Sequence, residues 1–272
     1  SKLLLIDISS KLDKRSKVPI ISMITIIIPF YNEESKNKKS LDLFLKGLSK
    51  YISLSFNNKN KFILIDDGSR DKTSNVIEKF ISKLKKTQKS RVKFINNGKN
   101  RGYAYSLKRG IKLSKTKYIT TLPSDNDLPF IDYRKYTSKN IDFVMYHRSN
   151  MEKYSRSRLL LSTLFNLIYN LAFDVKVHYI QGSGLYKLSK IKNIKVNANG
   201  GGNYLAELAV KLLRSNITYS EEPTYFKNKS IVDRTVSLVN LIKVIKNFIA
   251  AYFEVNLINR NKYRARAKKI YL

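Results

Sequence analysis

At 272 residues with 43% hydrophobic content, the chain has room for one large α/β domain or two small ones and for a substantial core. It contains no cysteine and two histidines, which excludes disulfides, a thiol nucleophile and thiolate or multi-histidine metal sites. The net charge of +33 suggests nucleic acid, an anionic membrane or a polyphosphate substrate, but Lys is spread over the whole length, so only the local basic clusters at 148–158 and 260–269 read as functional.

Residues 1–19 form a Lys-rich lead-in whose short apolar start is too brief for a secretory signal, and the missing initiating Met leaves room for an upstream segment. Residues 20–29 are a nearly unbroken β-branched run, the pattern of a central parallel strand buried on both faces. The same pattern returns at 61–65, 92–95, 118–122 and 141–146, and helical patterns at 41–54, 73–84 and 103–113 lie between the runs. Strands alternating with helices of this length imply βαβ units in a mostly parallel sheet, with ligands at the carboxyl ends of the strands. No run of 18 or more apolar residues is present.

Three of those strand ends are acidic. The first run ends in Pro29-Phe30-Tyr31-Asn32-Glu33-Glu34, the second in Asp66-Asp67-Gly68-Ser69-Arg70-Asp71, and the fourth in Pro123-Ser124-Asp125-Asn126-Asp127. Carboxylates crowded into one cleft need a cation or hydrogen-bond donors, and a nucleotide diphosphate with its metal supplies the cation. Asp125 and Asp127, at i and i+2 after a strand, can reach one hard cation, Mg²⁺ or Mn²⁺. Taken singly, each cluster also reads as a turn or a helix cap, with Asp71 and Thr73 opening a helix.

In their order these elements resemble the family 2 inverting nucleotide-sugar glycosyltransferases with the GT-A fold. Pro29-Phe30-Tyr31-Asn32-Glu33 is similar to their opening motif, Asp66-Asp67-Gly68-Ser69-Arg70-Asp71-Lys72-Thr73 to their nucleoside-binding turn, and Asn100-Arg101-Gly102-Tyr103-Ala104 to the start of their third helix. The second half resembles the dolichyl- and polyprenyl-phosphate sugar transferases. Arg156-Ser157-Arg158 with the apolar stretch 159–173 is similar to their membrane-interface helix, Gln181-Gly182-Ser183-Gly184 to their acceptor-side strand, and Tyr204-Leu205-Ala206-Glu207 with Glu222-Pro223 to their late helix and strand. Two departures stand out. Pro123 takes the first acidic position of the usual motif, and the basic loop after the last strand is reduced to Arg234-Thr235-Val236-Ser237, without its Lys.

The resemblance implies a Rossmann-like, mostly parallel sheet flanked by helices over residues 20–235, followed by an amphipathic helix and basic tail over 236–272. It implies a metal at Asp125 and Asp127, with Arg234, Arg101 and Lys99 helping the leaving diphosphate. Pro29, Tyr31, Glu33, Asp66, Asp67, Arg101 and Asp125 would contact the nucleotide sugar, a GDP- or UDP-sugar. An acceptor hydroxyl needs a general base, whereas a polyprenyl monophosphate is already ionised and needs cations, for which Arg148, Arg156 and Arg158, with Gln181, are candidates. Segment 199–203 has no carboxylate, and Glu207, Asp174 and Glu222 are the remaining candidate bases. The stretches 159–173 and 238–258 are amphipathic, and with the basic tail they suggest peripheral contact with an anionic membrane on its cytoplasmic face, alone, as a homo-oligomer or with a membrane subunit. The alternatives are a glycan hydroxyl as acceptor, a nucleic-acid-binding protein and an inactive pseudoenzyme. No groove-reading or aromatic RNA-binding signature supports nucleic acid.

Overall fold

The structure is a computed structural model that describes residues 23–54, 59–150, 156–198, 201–225 and 238–272. The chain opens with β1 (Ile24–Phe30), α1 (Glu33–Ser53), β2 (Lys61–Asp66), α2 (Thr73–Ser82), the short α3 (Lys86–Lys89) and β3 (Val92–Asn96). Next come α4 (Tyr103–Leu113), β4 (Tyr118–Thr121), the short α5 (Arg134–Ser138), β5 (Phe143–Arg148), α6 (Arg156–Phe173), β6 (Gly184–Lys187) and the short α7 (Leu188–Ile191). The chain finishes with α8 (Gly201–Leu213), β7 (Thr218–Thr224), α9 (Leu238–Phe253), a π-helical turn (Glu254–Ile258) and β8 (Lys268–Lys269).

The strands form one sheet in the order β3-β2-β1-β4-β6-β5-β7-β8. All neighbours run parallel except β6, which is antiparallel to β4 and β5. This is the α/β, mostly parallel, helix-flanked sheet expected of a GT-A fold. Because β6 runs the other way, its starting end, with Gln181 to Gly184, lies on the same edge of the sheet as the finishing ends of β1, β2, β4 and β5.

The apolar runs are continuous because successive side chains enter two different cores. Ile24, Ile26, Ile28 and Phe30 of β1, with Phe62 and Leu64 of β2, face a core completed by Leu41, Phe44, Leu45 and Leu48 of α1 and Ile77 of α2. Ile27, Ile63 and Ile65 point the opposite way, into a core completed by Ala104 and Leu107 of α4, Tyr169 and Phe173 of α6, and much of α8. Gly110 of α4 lets that helix approach β1, since a Cβ there would lie 2.6 Å from Ile27 Cγ2.

The carboxy-terminal segment returns to the domain. Phe248 of α9 meets Tyr169 and Phe173 of α6 edge-on, with ring centroids 5.1 and 5.7 Å apart, and Asn256 donates to the Ala172 carbonyl at 3.1 Å. Beyond the π-helical turn Tyr263 is buried, and Lys268 and Lys269 add β8 to the sheet edge beside β7.

Glu207, a candidate base from the sequence, helps secure this arrangement and is not aimed at a substrate. It is 2% exposed, accepts the backbone N–H groups of Asn197 and Ala198 at 3.0 and 2.9 Å, and receives Lys211 Nζ at 2.7 Å. Lys211 is wholly buried and also donates to Glu254 at 2.8 Å, which ties α8 to the π-helical turn. Replacing Glu207 with Gln should leave Lys211 with one carboxylate and, because the amide keeps a single oxygen, one of the two backbone N–H groups without its acceptor. Glu207→Gln is expected to lower unfolding free energy by about 3 kcal/mol, read as a lower urea midpoint at unchanged slope.

Candidate active site

The loops at the strand ends are joined to one another before any ligand is considered. Asn32, after β1, adopts a left-handed conformation at φ 51°. Its N–H donates to Ser69 Oγ at 2.9 Å, and its side-chain oxygen accepts the Arg70 N–H at 2.8 Å. Asp71 and Thr73 cap two helices: Asp71 accepts the N–H of Thr73 in α2 and that of Ser35 in α1, at 2.9 and 2.8 Å, while Thr73 Oγ1 accepts the Glu34 N–H at 3.0 Å. The hydrogen bonds at both sites hold the Asp71 carboxyl below its usual range against the opposing effect of burial, which is the largest single influence.

Asp66 and Asp67 are 0% and 3% exposed, and the chain itself uses both. Asp66 Oδ1 accepts Ser69 N–H and Oγ at 3.1 and 2.5 Å, and Oδ2 accepts Asn96 Nδ2 at 3.3 Å. Asp67 Oδ1 accepts Asn97 Nδ2 at 2.6 Å, Ser106 Oγ at 3.1 Å and Arg101 N–H at 3.3 Å, while Oδ2 accepts Gly102 N–H at 2.8 Å. The sequence pattern sets both at the base or ribose, and in the fold Asp67 is also a strut that ties loop 97–102 and α4 to β2. Gly68, at φ +70°, is required here because a Cβ would lie 2.3 Å from the Lys99 carbonyl carbon. The partners Asn97 and Ser106 had no local signal, since they lie 30 and 39 residues from Asp67.

Among the other residues expected at the nucleotide, Pro29 is buried inside β1, and Tyr31 and Glu33 are partly exposed just beyond it. Lys36 bridges those two, over the Tyr31 ring at 5.4 Å and on Glu33 Oε1 at 3.1 Å. Arg101 is exposed, with its guanidinium 4.9 Å from the Tyr105 ring centroid. Lys99 is exposed on the same loop.

The acid turn after β4 is compact. Asn126 is left-handed at φ 61°, and Asp125 Oδ1 accepts the Asp127 N–H at 3.1 Å. Ser40 of α1 donates to the Asp125 carbonyl at 2.9 Å. Burial pushes the Tyr103 phenol up to about 12, with the negative charge of Asp125 adding to the effect, so the start of α4 borders this turn. The Asp125 side chain faces solvent, whereas Asp127 Oδ2 accepts Arg148 Nη2 at 2.6 Å in an ion pair whose side chains are 23% and 4% exposed. Arg148 ends β5, so an expected phosphate ligand and an expected metal ligand meet directly.

Arg156 opens α6 and is exposed, and Arg158 lies in the same first turn. Gln181 is half-buried at the turn into β6, beside Gly182, where a Cβ would lie 2.2 Å from the Tyr146 carbonyl oxygen. Arg234 lies outside the described residues. Of the two other candidate bases, Asp174 pairs with Arg266, and Glu222 accepts Ser220 Oγ at 2.9 Å and Lys135 Nζ at 3.4 Å.

The donors suit a divalent cation of the Mg²⁺ class. Among the described residues no group of three or more His, Asp or Glu forms a ready-made metal cage. One accessible carboxylate at Asp125, completed by diphosphate oxygens and water, matches the way Mg²⁺ is usually held at phosphate sites.

Residues 25–135 match the model of the family described as Glycosyl transferase family 2. A dolichyl-phosphate beta-glucosyltransferase of Dictyostelium discoideum is 30% identical over 121 residues, covering 44% of this chain and 36% of the relative. An uncharacterized protein of Methanocaldococcus jannaschii is 28% identical over 236 residues, covering 81% of this chain and 93% of that one. Among solved structures, glucosyl-3-phosphoglycerate synthase from Mycobacterium tuberculosis in complex with Mg²⁺ and uridine diphosphate superimposes with a TM-score of 0.57 at 12% identity, covering 85% of this chain and 79% of that one. The fold is thus of the GT-A type, residues 25–135 are similar to the family 2 glycosyltransferases, and the chain resembles the polyprenyl-phosphate sugar transferases. The match spans about a third of the dolichyl-phosphate relative's own length.

Removing the Asp67 strut should loosen loop 97–102 before anything else. Asp67→Ala is expected to cost about 3 kcal/mol in urea unfolding, for one buried carboxylate and its donors, and to expose the loop at Lys99 and Arg101 to trypsin under native conditions. Wild-type cleavage rates there would count against the strut.

Proposed function

We propose that this protein transfers a hexose from a nucleotide-diphosphate sugar to a polyprenyl phosphate, with inversion, as a peripheral protein on the cytoplasmic face of a membrane. The observation that carries the lipid acceptor is the outward face of two packed helices. Leu160, Leu164, Leu167 and Leu171 of α6 are 69%, 49%, 50% and 74% exposed, and Ile242, Ile245 and Ile249 of α9 are 53%, 48% and 47% exposed. Both helices are long enough to lie flat at a headgroup boundary, and among the described residues none is long and apolar enough to cross a membrane. Exposed Arg260, Lys262 and Arg264 follow α9, a charge pattern that suits anionic lipid. The similarity to dolichyl-phosphate beta-glucosyltransferases supports the same acceptor class.

The nucleotide part of the donor would lie over the joined loops after β1, β2 and β3, with Tyr31, Glu33 and Arg101 on the exposed side. Asp125 would hold Mg²⁺ or Mn²⁺, which supplies Lewis-acid stabilisation to the departing diphosphate. An acceptor phosphate oxygen attacks the anomeric carbon on the face opposite the diphosphate. The new carbon–oxygen bond forms as the bond to the diphosphate breaks, so the configuration inverts. A phosphate monoester is ionised at neutral pH and needs no proton removed, consistent with Glu207 being committed to Lys211 and to backbone donors. Arg148, Arg156 and Arg158 are the cations assigned to the acceptor phosphate, with Gln181 beside them.

Incubation with Mn²⁺, a panel of radiolabelled UDP- and GDP-sugars and a polyprenyl phosphate is expected to yield label extractable into organic solvent. Label found only in water-soluble glycan would instead assign a hydroxyl acceptor. Asp125→Asn should abolish that product while leaving the melting temperature near the wild-type value. For the membrane, the protein should float with anionic liposomes, and Leu160→Glu with Ile242→Glu should weaken this about 10-fold or more by charging the apolar face. No flotation at low salt would overturn the membrane contact.

A further inference from the structure

Between α6 and β6 the chain makes a short return over residues 174–183, and side chains from two other elements hold the main chain at its middle. Asn166 and Asn170 lie one turn apart on α6, and both reach this segment. Asn166 Nδ2 donates to the Val177 carbonyl at 2.9 Å, and its Oδ1 accepts the Ile180 N–H at 2.9 Å. Asn170 Nδ2 donates to the same carbonyl at 2.9 Å, and its Oδ1 accepts the Val177 N–H at 3.4 Å. An amide side chain suits this task, since one short stem carries an acceptor and a donor together. Val177 and Ile180 are buried, where main-chain polar groups are costly to leave without partners. From the sheet, Glu221 of β7 accepts the His178 N–H at 2.7 Å, and the Tyr146 N–H of β5 donates to the Ser183 carbonyl at 3.0 Å.

The residue after each of these amides is a leucine of the outward face, Leu167 and Leu171, 50% and 74% exposed. One helix therefore carries the apolar face on one side and the clamp on the other. Ile180, the far end of the clamp, directly precedes Gln181. We infer that Asn166 and Asn170 are positioning residues for the acceptor: they fix the main chain at 177–180 to α6 and so set the place of Gln181 relative to the lipid face. The inference rests on the lipid-acceptor reading given above. A prenyl phosphate keeps its chain in lipid and its phosphate in the site, so the place of the site relative to the apolar face has to be constant. Neither amide needs to touch the substrate, because both act through the main chain. The donor-side loops carry a separate network through Asn32, Asp66 and Asp67, so weakening the clamp leaves that side intact.

Two affinities measured by calorimetry on the intact protein test this: UDP or GDP with Mn²⁺ for the donor side, and farnesyl phosphate, a soluble prenyl monophosphate, for the acceptor side. For Asn166→Ala, farnesyl phosphate binding should weaken about 10-fold while nucleotide binding stays within about 2-fold of wild type. Asn166→Asp, which keeps the size of the side chain and the acceptor for the Ile180 N–H, should share the loss at about pH 7.5. It should regain affinity relative to wild type at about pH 5, where the carboxyl takes up a proton and can donate to the Val177 carbonyl. Wild-type farnesyl phosphate affinity in both variants would overturn the inference alone. So would an equal fall in both affinities, which marks the amides as general packing, or a loss in Asn166→Asp that acidification leaves unchanged. A wild-type protein that binds Mn²⁺ and nucleotide but no farnesyl phosphate would overturn the lipid-acceptor reading and this inference with it.

Discussion

The structure depends on burying β1, β2 and β4 on both faces. With helices on either side, these strands cannot show a polar side chain anywhere along their length without a desolvation cost. Their chemistry is therefore displaced to their ends, and the parallel arrangement brings those ends to one edge of the sheet. The antiparallel β6 adds to the same edge from the other direction, and the result is a group of loops whose residues are far apart in sequence and gathered at one sheet edge.

Crowding carboxylates onto that edge has an electrostatic cost, and the fold meets it in two ways. At β2 the charges are absorbed internally: Asp66 and Asp67 accept side-chain and backbone donors from the neighbouring loops and act as fasteners. After β4 the arrangement is more open, with Asp125 left accessible and Asp127 balanced by Arg148. The first solution gives rigidity, and the second keeps one carboxylate exposed at the sheet edge. The distinction separates scaffold from chemistry within motifs that look alike as strings of residues.

The carboxy-terminal half supplies a different kind of surface. The ion cluster of Glu207, Lys211 and Glu254 and the rings of Tyr169, Phe173 and Phe248 fasten α9 to α6 and α8. Once fastened, both helices turn bulky aliphatic residues to the outside, which a helix free to pack on the domain would bury. Tail residues that read from the sequence as a basic appendage fold back instead, with Lys268 and Lys269 in the sheet and Lys269 held on Glu221 at 2.5 Å.

Much of this was legible in the residues themselves. The β-branched runs identified the buried strands to within a few positions, because a strand covered on both faces tolerates little else, and the helix of residues Tyr103–Leu113 was bounded as expected. The acidic strand ends were readable for the same reason, since polar residues after a buried run have only one place to go. Tertiary structure decided which acids the fold engages and which it leaves exposed. Asp67, Glu207 and Asp127 look like ligands or bases in sequence, but their partners arrive from 30, 4 and 21 residues away, the nearest being a buried lysine. Whether a carboxylate is a fastener or a reagent depends on the donors that packing brings to it, and no local pattern records that.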